Sequence, residues 1–69
     1  MNIPLKLKIL ETGRPQIVIA RDSGISEAQL SRIVKGWAVP GEEVKNKLAK
    51  ILKCPVEEIF PKRITNEQS

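Results

Sequence analysis

The residue types that most often carry catalysis or hold metal ions are scarce in this chain. Its 69 residues contain no His and a single Cys, Cys54. Relays of Ser, His and Asp, relays of Cys and His, and Cys/His zinc sites all need side chains that are missing. We therefore expect no enzyme activity, no cofactor, no metal and no small-molecule ligand. Cys54 is expected to be a buried, unreactive thiol in a reducing compartment.

The chemistry that remains is that of charge. Twelve Lys and Arg against eight Asp and Glu give a net charge of +4, and the first 41 residues hold six cations and three anions. This excess predicts a polyanionic partner for the N-terminal half. The longest apolar run near the N-terminus, Ile17 to Ala20, is far too short for an export signal or a membrane span. We therefore expect a cytoplasmic protein with no membrane partner.

Apolar residues at helical spacing predict an all-α fold of five short helices. In the first helix, Ile3, Leu7 and Leu10 have this spacing, with Leu5 and Ile9 beside them. The predicted helices cover residues 3–11, about 15–23 and 26–35, then a fourth that starts with Glu42 and Glu43 and a short fifth between Pro55 and Pro61. The pattern predicts one domain over residues 1–61 and a flexible tail over residues 62–69.

Three residues in the middle of the chain have the spacing of a helix-turn-helix. Ala20 is a small residue where two helices cross, Gly24 can take a positive φ in the turn, and Leu30 is an apolar anchor in the second helix. Ser26, with Gln29 three residues later, predicts a capping box at the start of that second helix. These independent signals indicate one geometry, with helices two and three forming the motif.

The order of these residues resembles the phage repressor and Cro-like (Xre-type) helix-turn-helix family over about residues 5–60. The residues that carry the resemblance are Gln16, Ala20, Gly24, Ile25, Ser26, Leu30, Ser31, Arg32, Ile33, Gly36, Pro40, the stretch 48–52, Ile59 and Phe60. The resemblance implies a compact, lambda-repressor-like bundle of five helices. It further implies a nucleoid-associated transcriptional regulator, a repressor, that binds double-stranded DNA as a homodimer with helix three in the major groove.

The resemblance also implies a role for individual residues. The positions that match the base-reading front of helix three are Ser26, Glu27, Ala28, Gln29 and Arg32. Gln29 suits adenine and Arg32 suits guanine or a phosphate, whereas Glu27 either accepts a hydrogen bond from cytosine or serves only the cap. The positions expected to contact phosphates are Gln16, Arg14 and Lys35.

Four apolar residues depart from the family pattern. Trp37 and Val39 stand in a loop that is rich in Lys and Arg in several members, and Ile17 and Val18 stand where polar residues are usual. The loop with Trp37 and Val39 predicts either weaker and less salt-dependent DNA binding than that of a repressor, or a contact with a dimer partner or another protein. Ile17 and Val18 predict a protein contact, and Trp37 packed over its own core is an open alternative. A protein-interaction module, such as an antitoxin or adaptor, is therefore the alternative function. A helical bundle with no nucleic-acid role is a further one.

Overall fold

Five helices joined by short turns make up the part of the chain from residue 1 to residue 61. The computed structural model describes residues 1–61, and the predicted tail over residues 62–69 lies outside the described residues. The helices are α1 (Ile3–Thr12), α2 (Gln16–Asp22), α3 (Glu27–Val34), α4 (Glu42–Leu52) and α5 (Val56–Ile59). The all-α prediction is confirmed for residues 1–61, and the predicted ends of the first three helices differ from the observed ends by one residue at most.

One apolar core lies where the five helices meet. Every helix contributes at least one buried side chain to it, as expected for a chain too short to build a second core. The buried apolar residues are Leu5, Ile9, Ile19, Ala20, Leu30, Ile33, Val34, Leu48, Ala49, Leu52 and Ile59. Helices α2, α3 and α4 are thereby held by packing rather than by their own short hydrogen-bonded turns.

The apolar stripe of α1 that has the clearest helical spacing is not the buried one. Ile3, Leu7 and Leu10 are at least half exposed, whereas Leu5 and Ile9 are buried. Since α1 carries apolar residues on both faces, its periodicity alone did not select the face that packs. The choice was made by the contacts of α1 with α3, α4 and α5.

Asn2 links the start of α1 to two other helices through hydrogen bonds. Its Oδ1 accepts a hydrogen bond from the Leu5 N–H at 3.1 Å, which caps α1. Its Nδ2 donates to the Ile59 carbonyl at 2.7 Å, and its backbone N–H donates to the Val34 carbonyl at 2.8 Å. One residue therefore joins the beginning of α1 to the ends of α3 and α5, a role that the sequence pattern did not indicate.

We expect Asn2→Ala to lower the free energy of unfolding by about 1–3 kcal/mol. The substitution removes the side-chain cap and leaves the Ile59 carbonyl without its donor. Asn2→Ser, which keeps a cap acceptor and is too short to reach the Ile59 carbonyl, should give a smaller loss. Urea denaturation followed by circular dichroism measures both, and an unchanged midpoint for Asn2→Ala would show that these bonds do not stabilise the fold.

Lys8 and Cys54 lie near the junction of α1 and α5. The Lys8 ammonium is 2.8 Å from the Glu58 carboxylate, and this hydrogen bond raises the pKa of Lys8. Cys54 is half-buried against the core rather than fully buried as predicted, and desolvation raises the pKa of its thiol. The reactive thiolate is therefore less populated at neutral pH than in a free cysteine, which favours the predicted unreactive thiol.

Candidate nucleic-acid interface

Helices α2 and α3 pack against each other across a tight turn, as the residue spacing predicts. Ala20 is buried in α2, and Leu30 is fully buried one turn into α3. Gly24 has a φ of 79°, in the left-handed region where a side chain is strained. Ser23, which the sequence pattern did not single out, is also buried, and its Oγ donates to the Ile19 carbonyl at 2.8 Å. The helix-turn-helix geometry is therefore present.

The N-terminus of α3 is capped by half of the predicted capping box. The Ser26 Oγ accepts a hydrogen bond from the Gln29 backbone N–H at 3.1 Å. Within residues 1–61, the reciprocal bond, in which the Ser26 backbone N–H would donate to the Gln29 side-chain oxygen, is not formed. Gln29 is exposed instead, so its side-chain amide remains available to form hydrogen bonds with a ligand.

The front of α3 presents its polar residues to solvent. The predicted base-reading positions Ser26, Glu27, Ala28, Gln29 and Arg32 are all exposed. The opposite side of the helix is buried through Leu30, Ile33 and Val34, which fixes the rotation of α3 about its axis. The core therefore holds a polar, hydrogen-bonding helix face outward at the surface.

The three predicted phosphate-contacting residues lie at helix ends. Gln16 is the first residue of α2 and is half-buried, and Lys35 is the exposed C-cap residue of α3. Arg14 lies exposed in the turn before α2, with its Nη1 3.9 Å from the Asp22 Oδ2. An exposed ion pair at this distance contributes little to stability, so the Arg14 guanidinium can still bind another anion.

Trp37 lies on the surface. Its side chain is 74% exposed, so the alternative in which it packs over its own core is wrong. Its neighbour in the loop, Val39, is 84% exposed, and Ile17 on α2 is 60% exposed. Val18 is half-buried. Three of the four apolar residues predicted to contact a protein are thus largely open to solvent.

A family model matches this chain over residues 6–61. The family is described as the Cro/C1-type HTH DNA-binding domain. The chain belongs to this family. The match covers all five helices except the first residues of α1, and it confirms the helix-turn-helix family to which the sequence is similar. No curated protein and no solved structure matches the chain significantly.

Membership of the Cro/C1-type family supports a DNA-binding regulator. Such domains are typically not enzymes. Among the helices of residues 1–61, none is long and apolar enough to cross a membrane.

Proposed function

We propose that this Cro/C1-type protein is a sequence-specific transcriptional repressor that binds double-stranded DNA as a homodimer. The observation that carries the proposal is the exposed polar front of α3, which is held outward by the buried face of the same helix. An α-helix with such a face fits the major groove, where each base pair presents its own pattern of donors and acceptors. Repression follows from occupancy, because a bound dimer excludes polymerase from the same DNA.

Four side chains read bases in this proposal. The Gln29 amide pairs with adenine, the Arg32 guanidinium pairs with guanine, and the Ala28 methyl contacts the methyl group of thymine. Glu27 accepts a hydrogen bond from the amino group of cytosine and also complements the positive end of the α3 dipole. Ser26 begins the reading helix, since its Oγ caps α3.

In this proposal, three residues contact phosphates and orient the motif on the DNA backbone: Gln16, Arg14 and Lys35. Gln16 and Arg14 flank the start of α2, and Lys35 ends α3, so they bracket the two helices of the motif. Contacts with phosphates are independent of sequence, orient the protein and make affinity fall with salt. A protein that occupies DNA in this way is located on the nucleoid in the cytoplasm.

The proposal is tested by selecting bound duplexes from a random DNA pool at moderate salt. We expect an inverted repeat whose half-sites are separated by about one helical turn, roughly 34–36 Å, because a two-fold dimer presents α3 twice. The double variant Gln29→Ala/Arg32→Ala serves as the matched control and should enrich no such repeat. A parent protein that enriches nothing would contradict sequence-specific binding, and enrichment of an unrepeated half-site would contradict the dimer.

A second candidate function is a protein-interaction module, such as an antitoxin or adaptor. It is favoured by the exposure of Ile17, Trp37 and Val39, three large apolar side chains that are each at least 60% exposed. Purification of the tagged protein from its own cells distinguishes the two functions. Recovery of one protein in a stoichiometric amount, without enrichment of DNA, would favour the interaction module.

A further inference from the structure

The exposed Trp37 ring lies beside the cation that ends α3. The Lys35 Nζ is 4.8 Å from the centroid of the indole. This is within the distance at which an ammonium is attracted to the negative face of an aromatic ring. The two side chains therefore form a pair on the surface, at the C-terminal end of the helix that reads DNA in the proposed function.

The backbone after α3 holds this pair together. Gly36 has a φ of 82° and donates its N–H to the Ile33 carbonyl at 3.1 Å, while the Trp37 N–H donates to the Arg32 carbonyl at 2.9 Å. These two bonds form a Schellman motif, which turns the chain back over the last turn of the helix. The position of the Trp37 backbone is thus tied to the same turn that carries Arg32 and Lys35.

The loop after α3 has no other cation to contribute. Residues 36–41 are Gly-Trp-Ala-Val-Pro-Gly, so Lys35 is the last positive charge before α4.

A free lysine side chain loses considerable rotamer entropy when it is fixed against a phosphate. An ammonium already held over a ring has lost part of that freedom, and its N–H groups that point away from the ring can still donate to an anion.

We propose that Trp37 is a positioning residue for DNA binding, whose indole face holds the Lys35 ammonium where it meets a backbone phosphate. The inference rests on the proposed function, since it requires that α3 approach DNA. It gives this apolar residue a role within the DNA-binding surface. Trp37 itself need not touch a base.

The test compares five variants with the parent by fluorescence anisotropy on a short labelled duplex of mixed sequence at low salt. Trp37→Leu should weaken binding by about two- to fivefold, the range of an exposed cation–π pair, and Trp37→Phe should retain part of the affinity. Lys35→Met should lower the slope of log affinity against log salt by about 0.9, the value of one phosphate contact. In the Lys35→Met background, Trp37→Leu should have no further effect. Leu10→Ala, which truncates an apolar side chain on α1 that is 63% exposed, should bind as the parent does.

The outcomes separate this inference from the function on which it rests. If the parent protein does not bind the duplex, the proposed function is wrong and the role of Trp37 in it is wrong too. If the parent binds and Trp37→Leu binds equally well, only the positioning role is overturned. An equal loss with and without Lys35 would overturn it as well, because it would mean that Trp37 contacts the DNA directly.

In the free protein, the ring-current shift of the Lys35 methylene protons should disappear in Trp37→Leu. The absence of such a shift in the parent protein would contradict the pairing.

Discussion

Arg32→Ala is expected to weaken binding to the selected duplex by about 1–3 kcal/mol, or roughly 5- to 150-fold in Kd. Arg32 is exposed on the outer face of α3, and its guanidinium suits the two acceptors that guanine presents in the major groove. Losing a bidentate contact removes discrimination at that base pair. Repeating the selection with the variant should therefore yield a motif in which one position of each half-site has become degenerate.

Gln29→Ala and Gln16→Ala are the matched comparisons for this result. Gln29 lies on the same exposed front of α3, so its loss should relax a different single position by a similar free energy. Gln16 begins α2, and its loss should weaken all duplexes alike. If the Arg32 and Gln29 variants bind the selected duplex as tightly as the parent does, these residues do not read bases.

Leu5→Ala is expected to lower the free energy of unfolding by about 2–5 kcal/mol. The Leu5 side chain is fully buried between α1 and the rest of the core, so its removal costs the transfer energy of the lost methyl groups and leaves a cavity. In a domain of this size such a loss is comparable to the whole stability, which a single small core limits to about 3–5 kcal/mol. We therefore expect Leu5→Ala to be largely unfolded when denaturation is followed by circular dichroism.

Leu7→Ala is the control for this prediction. It makes the same chemical change two residues along the same helix, at a side chain that is 53% exposed. We expect it to change the free energy of unfolding by less than about 0.5 kcal/mol. Equal losses in the two variants would mean that α1 buries both faces, and a larger loss for Leu7→Ala would mean that the helix packs with the other face inward.

The local pattern of the sequence was sufficient to predict the helices and the motif. The steric needs of a tight turn and a close helix crossing restrict Gly24 and Ala20 to small residues, so these positions can be read from residue type alone. Likewise, a Ser before an apolar stripe predicts a cap, and Ser26 does cap α3. The resemblance to the family then assigned the exposed positions of α3 to base reading, which stays a prediction until it is tested on DNA.

Other features depended on contacts between residues far apart in the chain. Asn2 bonds to Ile59, and no local pattern indicates a partner that lies 57 residues away. The reciprocal half of the capping box was predicted from spacing alone, but the Gln29 side chain turned to solvent. Side chains with several satisfactory hydrogen-bonding arrangements are not determined by local sequence.

The sequence by itself determined that this protein is a small all-α chain without the side chains for common catalytic relays, and that two of its helices form a helix-turn-helix. These properties follow from residue type, length and short-range sterics. Only the tertiary structure decided which stripe of α1 is buried and that Trp37 lies outside the core against Lys35. The physical reason is that any contact that removes an apolar side chain from water lowers the free energy. Which apolar side chains are buried is therefore decided by the neighbours that the whole fold brings to them.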